Sequence, residues 1–297
     1  MNSQPERRQP STIVQQQTWV SNTTIGDYLK CPRAYFLKNV YKNQNGNKIA
    51  LITPSLTLGQ IVHEVLESLT TLRAEERFKA SLMDHFEREW SKYTGEKGGF
   101  TNQEQEREYK ERGAAMVRRV MQHPGPLLNK ALKLTSLDEL PPRYILSKEE
   151  NILLCGKIDW LEYLPEDNSV HIIDFKTGKN DEDGDSLQIP IYCLLVKNLQ
   201  KRNVKKLSYW YVDRENEPRE QTLPDFEDAQ RRVLNLALQI KDMRQEKAYS
   251  CSRSGCYACR PLEDILEGRC KFVGTRGYQD IYITQTEAWY EGGLNHV

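Results

Sequence analysis

Two neighbouring apolar segments each deliver a carboxylate, and the second adds a lysine: Gly156-Lys157-Ile158-Asp159, then Ile172-Ile173-Asp174-Phe175-Lys176-Thr177-Gly178. In a strand, Asp174 and Lys176 share one face while Ile173 and Phe175 point to the other. Asp159 stands where a preceding antiparallel strand would set it beside Asp174. Carboxylates brought so close repel unless a cation sits between them, and hard oxygen ligands suit magnesium or manganese. A lysine next to that cation can orient or deprotonate a water and offset charge growing on a phosphate. The chemistry such a set can do is metal-dependent phosphodiester hydrolysis. Taken alone, the same residues also suit the wet face of an ordinary strand pair.

The elements that must hold these groups follow from patterning. Ile152 to Tyr163 and Val170 to Phe175 are rich in branched aliphatics and aromatics, with turn-forming Pro165-Glu166-Asp167-Asn168-Ser169 between them, which predicts a β-hairpin. Leu58, Ile61, Val62, Val65, Leu66, Leu69 and Leu72 recur at helical spacing. His63 and Glu67 lie one turn apart on a flank of that stripe. Leu187, Ile191, Leu194, Leu195 and Leu199 mark another helix with Pro190 in its first turn, on which Gln188 and Tyr192 can both face the hairpin. A histidine near an apolar stripe is commonly structural, and a polar pair alone is ordinary helix surface.

In chain order, Gly59-x-x-x-His63-Glu64-x-Leu66-Glu67, Gly156-Lys157-Ile158-Asp159, Ile173-Asp174-Phe175-Lys176-Thr177-Gly178 and Gln188-x-x-x-Tyr192 resemble the motif series of the RecB-like branch of the PD-(D/E)XK nuclease superfamily, over about Thr24 to Phe272. Each motif is loose by itself; the ordered set is specific. The resemblance implies an α/β fold of the restriction-endonuclease type, a mixed central β-sheet flanked by helices. It implies that His63, Asp159 and Asp174 bind magnesium or manganese with the carbonyl of Phe175 as a further ligand. Lys176 would be the catalytic lysine, and Gln188 and Tyr192 would contact substrate or brace the site. Glu67 is either a partner of those ligands or helix surface. The activity so implied is a DNA exonuclease acting on single strands or DNA ends, in repair, recombination or CRISPR-type processing. Similar domains occur in recombination helicase–nucleases and CRISPR-associated adaptation nucleases. One rival is a nuclease-like module that binds DNA or a helicase without turnover; it predicts a gap in the acidic set, and there is none. Another is a zinc-binding interaction protein with incidental carboxylates.

Of seven cysteines, Cys251, Cys256, Cys259 and Cys270 crowd the C-terminal region, with Cys256-x-x-Cys259 the tightest pair. Such a pair in an intracellular protein reads as metal or redox chemistry. Cys31 lies far upstream in Leu29-Lys30-Cys31-Pro32-Arg33. The resemblance implies a 4Fe-4S cluster on Cys31, Cys256, Cys259 and Cys270, closing a long loop as a structural staple. The ten residues between Cys259 and Cys270 exceed the family gap, and Cys251 is an extra candidate. Zinc on the C-terminal cysteines is the other reading. Cys155 and Cys193 sit in apolar patterns and are expected in the core.

The 297 residues suffice for a full core, and 42 basic against 42 acidic residues leave no global pull toward nucleic acid. DNA would have to be held by local patches. No apolar run approaches membrane-spanning length and no signal-peptide core is present, so a soluble, cytoplasmic protein without a membrane partner is expected. Without a G-x-x-x-x-G-K-[ST] loop, any helicase must come from another chain. Residues 1–20 are expected to be a disordered tail and 21–275 the nuclease domain, with a helical insertion over 73–147 and a cysteine region over 249–272. Thr23 or Thr24 is expected to cap the helix that presents Cys31. Residues 276–297 form a tail that the patterning does not assign.

Overall fold

The computed structural model describes residues 17–134 and 140–284. Strand β1 (Thr18–Val20) leads into helix α1 (Asn22–Lys30). Part of the stretch expected to be a tail is a strand: β-prone Thr-Trp-Val pairs in parallel with Ile152 to Leu154, and Val20 is fully buried. Residues 1–16, the rest of that expected tail, lie outside the described residues. Ser21, rather than a threonine, caps α1. Its hydroxyl accepts from the Thr24 amide, and the Thr24 hydroxyl accepts from the Ser21 amide, a closed capping box. Pro32 disfavours helical backbone at the residue before it, so α1 stops and Cys31 is extended at φ −172°, ψ 123°. Pro32 then opens the short helix α2 (Pro32–Tyr35).

There follow β2 (Lys48–Leu51), α3 (Pro54–Ser68), α4 (Leu82–Trp90) and α5 (Gln103–Gln122). Strands β3 (Ala131–Leu132), β4 (Arg143–Ser147), β5 (Ile152–Cys155), β6 (Trp160–Leu164) and β7 (Ser169–Lys176) come next. Helix α6 (Gln188–Leu199), β8 (Val204–Tyr211), β9 (Arg219–Glu220) and α7 (Phe226–Glu246) complete the central region. The described residues close with α8 (Arg260–Leu266), β10 (Cys270–Arg276) and β11 (Gln279–Thr284).

The central sheet has the order β3-β6-β7-β8-β9, with β6 and β7 an antiparallel hairpin and β7 and β8 parallel. It is the mixed sheet expected, flanked by helices. The run from Ile152 to Tyr163, however, is not one strand. It breaks over Gly156 to Asp159, so β5 joins a second sheet, β1-β5-β4, while β6 enters the central one. A Cβ on Gly156 would stand 2.8 Å from Leu195 Cδ1, so glycine lets α6 press against the crossing backbone.

Side-chain alternation along β7 feeds two cores. Val170 and Ile172 join Ile191, Leu194 and Leu195 of α6 and Val233, Ala237 and Ile240 of α7. Ile173 and Phe175, with Trp160 and Trp210, join Leu58, Ile61, Val62 and Val65 of α3 and residues of α4 and α5. Each such side chain contributes about 1.5–3 kcal/mol of hydrophobic stabilisation. Trp210 is buried in this second core, and Tyr209 and Tyr211 are buried as well, so none of the three offers an open stacking surface. The helices of the expected insertion share this core with α3, so they are a layer of the domain. The helical part ends at Leu128, and β3 and β4 follow within the span assigned to it. Buried Arg77 fastens it: its guanidinium donates to the carbonyls of Leu69, Leu72, Leu127 and Asn129 and lies 4.8 Å over the Trp160 ring. A third sheet, β10-β11-β2, carries residues 279–284 of the unassigned C-terminal stretch, and residues 285–297 lie outside the described residues.

Candidate active site and cysteine centre

The register of the hairpin sets Trp160 opposite Ile173, which brings Asp159, one residue before β6, level with Asp174. Both carboxylates are buried. Asp159 Oδ2 accepts the Phe175 amide at 2.8 Å and lies 3.4 Å from His63 Nδ1. His63 reaches it from α3, across the opposite sheet face from α6, so the site forms at the end of β7 where the two layers meet. Glu67, one turn on, lies 3.4 Å from the same imidazole nitrogen and pairs with Lys157. His63, Glu67 and Asp159 thus present donor atoms within 4.8 Å of one another. Of the two readings left open for Glu67, contact with His63 describes it, not bare helix surface.

From the α6 side, Gln188 Nε2 donates to Asp174 Oδ1 at 2.7 Å and lies 3.1 Å from the Tyr192 hydroxyl. Lys176 Nζ donates to Gln188 Oε1 at 2.5 Å and stands 2.7 Å from Glu182 Oε2 and 4.8 Å over the Tyr209 ring. Glu182 belongs to the β7–α6 loop and carries no motif, so no sequence signal singled it out. Arg112 is another such residue: its guanidinium donates to the Thr177 carbonyl at 2.8 Å and to Asp213 at 2.9 Å, tying α5 to the end of β7. Gly59 explains its place in the motif, since a Cβ there would meet Thr177 Oγ1 at 3.1 Å. Helix α3 approaches β7 that closely.

Burial pushes the Asp174 carboxyl up to about 7, aided by the charge of Asp159 and opposed by Lys176 and His63. Burial alone would lower His63, but Asp159 foremost, with Glu67 and Asp174, holds its imidazole up at about 10. Desolvation likewise works against the Lys176 ammonium, yet Asp174 and Glu182 outweigh it and keep the amine above the ordinary lysine value. Tyr192 is held well above an ordinary phenol by burial and by the two aspartates.

Asp174 Oδ2 is buried and is met only by the Lys176 ammonium, an ion pair at 3.1 Å rather than a well-aligned hydrogen bond. A buried carboxylate oxygen so weakly satisfied, beside a second buried carboxylate, is a donor set that fits a divalent cation with hard oxygen ligands.

The thiols form a separate centre. Cys31, Cys251, Cys256 and Cys259 bring their sulfurs within 4.8 Å of one another, and all are free thiols. Cys270 is not in that set: it opens β10 and is fixed by its ladder with Thr284, whereas Cys251 lies in the loop that leads into the Cys256-x-x-Cys259 turn. The structure thus gathers Cys251 with Cys31, Cys256 and Cys259, while Cys270, expected in the set, packs against the same cluster without joining them. A cleft of about 830 Å³ beside this centre is lined by Arg33, Cys251, Cys259, Arg260 and Glu263, and neither Asp159 nor Asp174 lines it. Cys193 is fully buried, as expected of core, and Cys155 partly so.

Among the described residues no helix is long and apolar enough to cross a membrane. The family model of the PD-(D/E)XK nuclease superfamily matches residues 20–260 of the 297. That span takes in His63, Asp159, Asp174, Lys176, Gln188 and Tyr192, and also Cys31, Cys251, Cys256 and Cys259; Cys270 falls beyond it. A comparison with curated proteins gives no match.

Proposed function

The chain belongs to the PD-(D/E)XK nuclease superfamily, and we propose that within it this is a RecB-like, magnesium- or manganese-dependent deoxyribonuclease. The substrate proposed is DNA, attacked as single strands or at duplex ends, with an exonuclease's role in repair, recombination or CRISPR-type processing. A helicase from another chain would supply unwound strand. The observation that carries this reading is the buried Asp174 carboxylate beside buried Asp159, its Oδ2 met only by the Lys176 ammonium, with His63 against Asp159 on the other side.

Asp159, Asp174, His63 and the carbonyl of Phe175 would hold the divalent ion. When bound, it supplies Lewis-acid stabilisation of phosphate oxygens and a lowered pKa for an associated water. The protein's own part is positioning. The Phe175 amide and His63 orient Asp159, and Gln188, braced against Tyr192, orients Asp174. Lys176, kept as an ammonium by Asp174 and Glu182, is suited to orient water and to meet negative charge on the phosphate rather than to remove a proton. His63 must give up its proton to become a ligand, so cation binding is expected to release a proton from this site.

The thiol centre enters this proposal only as a staple. A 4Fe-4S cube binds each thiolate at a different iron, which requires sulfurs more widely spaced than the four gathered here. No step is assigned to iron.

The test is digestion of end-labelled single-stranded and duplex DNA with magnesium or manganese, comparing the unaltered protein with Lys176→Ala and Asp174→Ala. Metal-dependent cleavage that vanishes in both variants is expected. An inactive but folded parent protein would overturn the enzyme in favour of a module that binds DNA or a helicase without turnover.

A further inference from the structure

We infer that Cys31, Cys251, Cys256 and Cys259 hold a single tetrahedral zinc ion, a closed structural site that joins the α1–α2 corner to the segment leading into α8. This site does not depend on the nuclease reading.

Sulfur spacing is the first support. Zinc binds thiolate at about 2.3 Å, which sets tetrahedral sulfurs roughly 3.8 Å apart. Cys256 Sγ and Cys259 Sγ lie 3.7 Å apart, and no pair in the set exceeds 4.8 Å. Small side-chain rotations close these four on one centre, whereas a cube would require all four to move outward. The donor set is the second support: four thiolates leave no open position, the composition of structural rather than catalytic zinc.

Backbone N–H groups and a guanidinium face the sulfurs. Cys256 N–H donates to Cys259 Sγ at 3.2 Å. The amides of Ala34 and Arg33 face Cys31, and those of Arg253 and Gly255 face Cys251. Such N–H donors to ligating sulfur are the outer contacts a thiolate centre needs, and the Arg33 guanidinium, near Cys31 and Cys259, offsets its excess negative charge. Arg33 also pairs with Glu263 of α8 at 2.5 Å, so charge and metal bridge the same two segments. Cys31 is placed for this by local rules: Pro32 ends α1, leaves Cys31 extended, and turns its thiol toward the start of α2. Residues 31 and 251 lie far apart in the chain, so a metal clip between them removes much unfolded-chain entropy.

The test is to purify the 297-residue protein anaerobically, without chelator, from cells supplied with both zinc and iron, and to measure bound metal and the visible spectrum. About one zinc per chain and a colourless protein are expected. Cys251→Ser should lose the zinc and Cys270→Ser should keep it. Should Cys251→Ser fail to fold, replacing zinc by cobalt in the unaltered protein decides: intense tetrahedral d–d and sulfur-to-cobalt bands support the four-thiolate site. A brown protein with about four irons, metal loss in Cys270→Ser, octahedral cobalt bands, or no bound metal would each overturn it.

Discussion

The carboxylate of Asp159 accepts the backbone amide of Phe175 at 2.8 Å, across the hairpin and one residue past Asp174. One carboxylate of the site is therefore locked to the strand that carries the other, and their separation is set by the β-ladder rather than by flexible side chains. That lock survives replacement of the charge by an amide. Asp159→Asn is expected to fold normally yet to lose the rise in melting temperature that manganese gives the unaltered protein. Equal manganese-dependent shifts in the two proteins would remove Asp159 from the ligand set.

Asp174 should be a site where function opposes stability. Its carboxyl is raised from 3.8 to about 7 because burial, then Asp159, penalises the charge. The metal-free folded state thus binds this proton more tightly than the unfolded chain. The destabilisation is absent below about pH 4, grows as pH rises toward 7, and is complete above it. Asp174→Asn should therefore be inactive but more stable than the metal-free parent by on the order of 2 to 4 kcal/mol above pH 7. That advantage should shrink as pH falls through the window. A pH-independent difference in denaturation midpoint would contradict the assignment.

Lys176 lies between Asp174 and Glu182 without being a ligand. Lys176→Ala should lower cleavage by about 100-fold or more while leaving the manganese-induced thermal shift in place. Loss of the shift along with cleavage would mean that Lys176 supports binding, not the reaction.

Gly59 faces Thr177 Oγ1 at a distance that tolerates no added methyl without movement. In Gly59→Ala the helix gains about 1 kcal/mol of propensity, so stability should hold or rise. Cleavage should nonetheless fall about tenfold, because α3 carries His63. Adding Thr177→Ala makes room and should recover most of the loss. Failure of the double variant to recover would rule out this contact as the cause.

Arg77 donates to four carbonyls and covers Trp160. Arg77→Met leaves those acceptors unpaired and should cost about 3 kcal/mol or more. Activity per folded molecule should be preserved at low temperature. A denaturation midpoint close to that of the unaltered protein would show that water replaces the guanidinium.

The site residues were legible because short-range periods place them. A period of two sets Asp174 and Lys176 on one face, and helical spacing stacks His63 over Glu67 and Gln188 over Tyr192; the contacts found obey both. The hairpin followed from its turn residues. Local patterning also located α3 and α6 to within a few residues.

What the tertiary structure alone decided is how segments distant in sequence meet. The break at Gly156 depends on Leu195 pressing against it, a contact no local window contains. The choice of Cys251 over Cys270 depends on β10 being held in a ladder with β11. Glu182 and Arg112 are ordinary charged residues until a loop and a helix bring them to Lys176 and Thr177. The helices after α3 become part of the core because their apolar faces have only α3 and the sheet to bury against. Periodicity fixes which side of an element a residue occupies; only packing fixes what stands opposite, because that depends on chain segments no local pattern contains.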